Sequence, residues 1–235
     1  MEPTLRFFAT LFLIFAASGL GIHALALATG TNPSEPPAWQ LATATGLFHL
    51  AGLGALVPFL RYHQTTWRGG FGLFSPPWFR KALYAVGWTV PALATAWGTH
   101  QLCVMLLERL GYPPNSQAAV DAVRQAACIW ERLALLFFAA GTAPVFEELV
   151  FRGVLWPVFR DRGLRFAGAM SVSFLFALIH ANVAAFVPLC ILGLFWIWLY
   201  EKTQDLTAPM LSHALFNLTN FIWILLAPSS PPPGG

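Results

Sequence analysis

The sequence predicts an all-α fold, a polytopic membrane helix bundle of about seven transmembrane helices. Two observations carry this. Of 235 residues, 57% are hydrophobic and only 10% charged, where soluble domains carry about 25% charged residues. Apolar runs near 20 residues long also recur along the chain, the length that crosses a bilayer. Hydropathy windows give spans at about Leu5–Leu27, Trp39–Leu60, Ala82–Leu107, Leu133–Leu155, Phe166–His180, Val183–Tyr200 and Leu206–Ala227.

The first span has a rival reading as a cleaved signal peptide, with Arg6 before the apolar run and Ala24-Leu25-Ala26 as the cleavage site. The run exceeds the 7–15 residues of a signal's apolar region, which favours a retained helix. The fifth and sixth spans are separated only by Ala181-Asn182, which predicts a tight helical hairpin or a pair of tilted helices. Between spans two and three, residues 67–81 mix aromatics, glycines and basic residues, as an interfacial segment would. Gln117 to Arg132 reads as helix-prone, with Asn115 or Ser116 as its cap, and is expected to extend span four outward. No repeat occurs at solenoid periods, so residues 1–235 are expected to form one membrane domain, with a motif-bearing core at about 130–220 and a disordered tail at 228–235.

The net charge of +3 does not point to nucleic acid, because the basic residues sit in short loops where they set topology. With the N-terminus inside, the cytoplasmic segments hold Arg6, Arg61, Arg68, Arg80, Lys81, Arg160, Arg162, Arg165 and Lys202, and the external ones only Arg109, Arg124 and Arg132. That asymmetry predicts a cytoplasmic N-terminus; the expected location is a bacterial inner membrane. Cys103, Cys128 and Cys190 lack metal-ligand spacing, and their odd number favours buried free thiols.

Chemistry concentrates in the fourth span, where Glu147 and Glu148 stand side by side in an apolar stretch with Arg152 one turn on. A charge at the centre of a membrane helix costs about 2.5–3.5 kcal/mol on insertion scales, so two adjacent acids mark a functional site. Glu148 and Arg152 share a face four residues apart, acid first, the better orientation for a pair. Glu147 lies about 100° around the helix and is left as the free base. His180 ends the fifth span, with Phe176 one turn earlier, and His213 and Asn217 share a face of the seventh. At 1.5 Å per residue from the cytoplasmic ends, all four fall roughly 10–21 Å deep, in one slab of the membrane. Taken singly, an apolar-helix His or Asn is more often an interhelical hydrogen bonder. Together the residues suggest amide hydrolysis: a glutamate activates water, a histidine handles the proton, and donors bind the oxyanion. His23, His49, His63 and His100 receive no role, and the many Trp and Phe residues read as lipid-facing or interfacial bulk.

The segments Glu147-Glu148-Leu-Val-Phe-Arg152, Phe176-Ala-Leu-Ile-His180 and His213-Ala-Leu-Phe-Asn217 resemble the three motifs of the CAAX protease and bacteriocin-processing family of intramembrane glutamate proteases, related to type II CAAX prenyl endopeptidases. The resemblance covers about residues 130–220. It implies that Glu147 activates water together with His180, that His213 and Asn217 form the oxyanion hole, and that Glu148 and Arg152 support the site. It implies no metal cofactor, although two histidines and a glutamate are also a zinc set. The implied partner is a membrane-associated peptide or protein substrate, prenylated in the named enzymes, within the lipid bilayer. Two rivals remain: a non-catalytic immunity or scaffold protein that binds a membrane peptide, and a proton-coupled transporter. The complete motifs weigh against the first, and the lack of two repeated, broken-helix halves against the second.

Overall fold

The computed structural model describes residues 2–32, 36–112 and 118–226. Among them the secondary structure is entirely helical: α1 (Glu2–Thr29), α2 (Ala38–Tyr62), α3 (Trp67–Phe71), α4 (Trp78–Arg109), α5 (Ala118–Gln125), α6 (Ile129–Arg160), α7 (Arg165–Ile179), α8 (Val183–Thr203) and α9 (Thr207–Leu226). Six of these, α1, α2, α4, α6, α8 and α9, are long and apolar enough to cross a membrane. The fifth expected span, α7, is apolar but has only 15 residues. At 1.5 Å per residue it spans about 22 Å, short of a hydrocarbon core about 30 Å thick. Its turn into α8 therefore lies at membrane depth.

That turn is the predicted hairpin. Ala181 takes a left-handed backbone, φ 48°, and the Asn182 side chain caps α8 by accepting from Ala185 N at 2.8 Å. The two helices then pack along each other. Gly193 of α8 makes this possible, because a Cβ there would stand 2.8 Å from Ser173 Cβ and 2.9 Å from Ser173 Cα on α7. Without a hydrophobic drive between helices in lipid, such small-residue crossings are what hold membrane bundles together.

α6 begins four residues before the expected span and runs to Arg160. The expected outward extension is interrupted: the chain leaves helix between α5 and α6, where the Glu131 carboxylate accepts from Ala127 N at 2.7 Å. The expected cap at Asn115 or Ser116, and the tail at 228–235, lie outside the described residues.

α6 is also not a uniform α-helix. Phe137–Thr142 and Leu149–Leu155 are π-helical. Ala143 N reaches back five residues to Phe138 O, and Trp156 N to Phe151 O. A proline follows the first widening. In the five-residue pattern the donor for the Ala139 carbonyl would be residue 144, and Pro144 has no N–H. Pro157 stands in the same relation to the second. Glu147 and Glu148 sit on the short α-helical stretch Ala143–Glu148 between the two.

The interfacial segment expected at 67–81 is docked onto the start of α9. Asp205 is 1% exposed. It accepts from Ser75 N at 2.9 Å and Ser75 Oγ at 3.0 Å with one oxygen, and from Thr207 N at 2.9 Å with the other. Lys81 Nζ stands 3.7 Å away. The same carboxylate thus caps α9 and fastens the loop. Basic residues cluster at this end, where Arg160 and Arg165 meet Glu201. Large apolar side chains on α1, among them Phe12, Phe15 and Leu20, face outward, as lipid-facing residues do. All three cysteines are free; contrary to expectation none is fully buried, and Cys128 is exposed.

Candidate active site

The charged centre is built on α6, α8 and α9. Glu148 and Arg152, both with fully buried side chains, form the expected pair, Arg152 Nη1 to Glu148 Oε1 at 3.1 Å. A buried pair repays its desolvation only when further hydrogen bonds complete it. Here Arg152 Nη2 donates to the Gly193 carbonyl at 3.0 Å, so the α7–α8 crossing also presents the carbonyl that steadies the guanidinium. The guanidinium lies 4.8 Å from the Phe176 ring centroid and 5.4 Å from that of Trp196.

His213 joins the two glutamates. Its Nδ1 donates to the same Glu148 Oε1 at 3.0 Å, and its Nε2 is 3.8 Å from Glu147 Oε2. The ring stacks on Trp196, with centroids 3.9 Å apart and planes inclined by 17°. Trp196 is 1% exposed, so it is not the lipid-facing bulk expected of the tryptophans. It is held in turn: Trp196 Nε1 donates to Ser212 Oγ at 3.4 Å, and Ser212 Oγ lies 2.9 Å from Thr89 Oγ1 of α4. Arg152, Glu148, His213 and Glu147 thus form one chain of groups, and Glu147, 18% exposed at its side chain, is the end that opens outward. Its Oε2 has no hydrogen-bond partner.

Among the described residues, no hydrogen bond joins His180 or Asn217 to this chain. His180 Nδ1 donates to the Phe176 carbonyl at 2.7 Å. That carbonyl is free because α7 tightens at its end, where His180 N bonds Ala177 O instead. With Nδ1 carrying the proton, Nε2 of the neutral ring is the acceptor. The ring lies 4.8 Å from Phe176, the expected neighbour, whose other contacts include Arg152 and His213 at 6.0 Å. Among the described residues no hydrogen bond joins His180 to Glu147. Asn217 Nδ2 donates to the Ala139 carbonyl at 2.8 Å, the one that Pro144 leaves without a donor. One N–H of that amide is engaged in holding α6, and the other is not used there.

Three parts of the site escape a reading of motifs: Trp196, the Gly193 carbonyl, and the π-helical setting of the glutamates. Pro144, three residues before Glu147, was the available signal for the last. Among the described residues no group of three His, Cys, Asp or Glu side chains is arranged to hold a metal ion.

Residues 129–219, which hold every one of these groups except Thr89, match the family model described as Type II CAAX prenyl endopeptidase Rce1-like. This part of the chain is similar to that family. A relative from Bacillus subtilis (strain 168), named "Putative membrane peptidase YdiL", is 23% identical over 104 residues, which are 44% of this chain and 40% of the relative. The chain thus matches about two fifths of that relative's length. No solved structure matches significantly. The Rce1-like segment coincides with α6 to α9, the helices that supply the glutamates, both histidines and the asparagine.

Proposed function

We propose that this chain is an intramembrane endopeptidase of the CAAX prenyl protease type, hydrolysing a peptide bond with a water activated by Glu147. The observation that carries the reading is the buried series Arg152–Glu148–His213–Glu147. It ends in Glu147, whose side chain is 18% exposed and whose buried Oε2 has no hydrogen-bond partner. Glu148 is neutralised by Arg152, which leaves Glu147 as the carboxylate available to take a proton.

In this mechanism Glu147 removes a proton from water, and the oxygen attacks the carbonyl carbon of the scissile bond. The Nε2 of His180, bare because Nδ1 donates to Phe176, accepts the second hydrogen of that water and orients it. Glu148 fixes the proton on Nδ1 of His213. With a proton on Nε2 as well, the ring balances the Glu147 charge and donates through Nε2 to the developing oxyanion. The remaining N–H of Asn217 is the second donor. Collapse of the tetrahedral intermediate returns the proton from Glu147 to the leaving amine. Donors of this kind are each worth about 10²–10³ in rate.

The residues supply base and oxyanion donors without calling on a metal, so we propose a metal-free site. The substrate is a membrane-associated peptide, with prenylated CAAX termini the first class to try. Purified protein in detergent should cut one or more members of a labelled membrane-peptide panel that includes them. Binding without any cleavage across the panel would favour a peptide-binding, non-catalytic role.

A further inference from the structure

α2 carries a buried titratable side chain that the mechanism does not use. His49 is 6% exposed, and its Nδ1 lies 2.9 Å from Thr142 Oγ1, the residue that ends the first π-helical segment of α6. The same face of α2 is shaped to receive α6. A Cβ on Gly46 would meet the Phe138 ring at 2.8 Å, and Gly52 lies directly against the ring of Phe146. The Phe146 ring also packs on His49, with centroids 5.1 Å apart. Phe146 is the residue immediately before Glu147. The π segment is therefore gripped from two sides, by His49 on Thr142 and by Asn217 on Ala139.

The grip matters because a π segment sets the register of everything after it. Each widened turn accommodates one residue more than an α turn. If it slipped back to regular helix, the next residues would turn by about 100° and shift by about 1.5 Å along the axis. Glu147, five residues beyond Thr142, would then leave the direction of His213.

We propose that His49 is a positioning residue of the site: through its hydrogen bond to Thr142 it holds the π segment in the register that aims Glu147 at His213. This rests on the protease reading for its activity test, and on geometry alone for a second test.

The first arm compares kcat and KM of wild type, His49→Leu, Thr142→Val, the double variant and His49→Asn, each shown to be folded at the assay temperature. A displacement on the order of 1 Å costs about 10² in rate, so His49→Leu and Thr142→Val should each lower kcat by about that factor with little change in KM. The double variant should be no worse than either single. His49→Asn, whose amide can stand where Nδ1 does, should recover most of the loss. A kcat that stays at the wild-type value in folded His49→Leu and Thr142→Val overturns the proposal. So do independent, additive losses.

The second arm needs no substrate. With Cys103, Cys128 and Cys190 replaced by alanine, a cysteine introduced by Glu147→Cys is labelled with a maleimide, with His49 intact or changed to Leu. Positioning predicts a changed labelling rate, and identical rates contradict it. Wild type that cuts no peptide would sink the protease reading alone, leaving the labelling result to decide the role of His49.

Discussion

His213 donates through Nδ1 to Glu148 Oε1 at 3.0 Å, the same oxygen that Arg152 holds at 3.1 Å. One carboxylate oxygen thus fixes the tautomer of the histidine and directs its other nitrogen toward Glu147. Glu148→Gln keeps the shape but lets the amide orient His213 wrongly. An orienting carboxylate of this kind is worth about 10⁴ in kcat, and a loss of that order is expected in cleavage assays while the protein stays folded.

Arg152→Met should act differently. It strands the buried Glu148 charge, which costs about 3–5 kcal/mol when one partner of a buried pair is removed. Unfolding in detergent should show that loss. Arg152→Met with Glu148→Leu should regain much of the stability and none of the activity, since His213 then has nothing to orient it.

Gly193→Ala tests the helix crossing. The added methyl would stand 2.8 Å from Ser173 Cβ and 2.9 Å from its backbone Cα, so α7 and α8 must move apart. Overpacking of this sort costs about 1–3 kcal/mol. Because the Gly193 carbonyl accepts from Arg152, activity should fall by more than the stability loss alone implies. Activity unchanged with stability reduced would show that this carbonyl does not matter to the site.

Metal dependence is tested by exhaustive chelation of the purified protein. Cleavage should continue at the same rate. A loss that added zinc restores would make the site a zinc centre.

Much of this was legible in the sequence because membrane helices have strong signals. The apolar runs located six long helices and α7 within a few residues, and the i, i+4 spacing of Glu148 and Arg152 gave their pairing directly. The pairing survives although the second π segment begins at Leu149. What was not legible depends on contacts between helices distant in the chain. Nothing local marks Trp196 as the ring beneath His213 rather than a lipid-facing tryptophan. His49 and Thr142 are 93 residues apart, and no motif joins them. The resemblance implied that Glu147 works together with His180, yet the histidine that stands beside Glu147 is His213. Helix packing sets His213 there, while α7, ending early, turns His180 back on the Phe176 carbonyl.

The central claim is that Glu147 is the base, and the most direct measurement is cleavage of the labelled peptide panel by wild type and Glu147→Gln side by side in detergent. The account predicts that wild type cuts and that the folded Glu147→Gln protein does not, because an amide cannot take the proton from water. Cleavage by Glu147→Gln at the wild-type rate would contradict it.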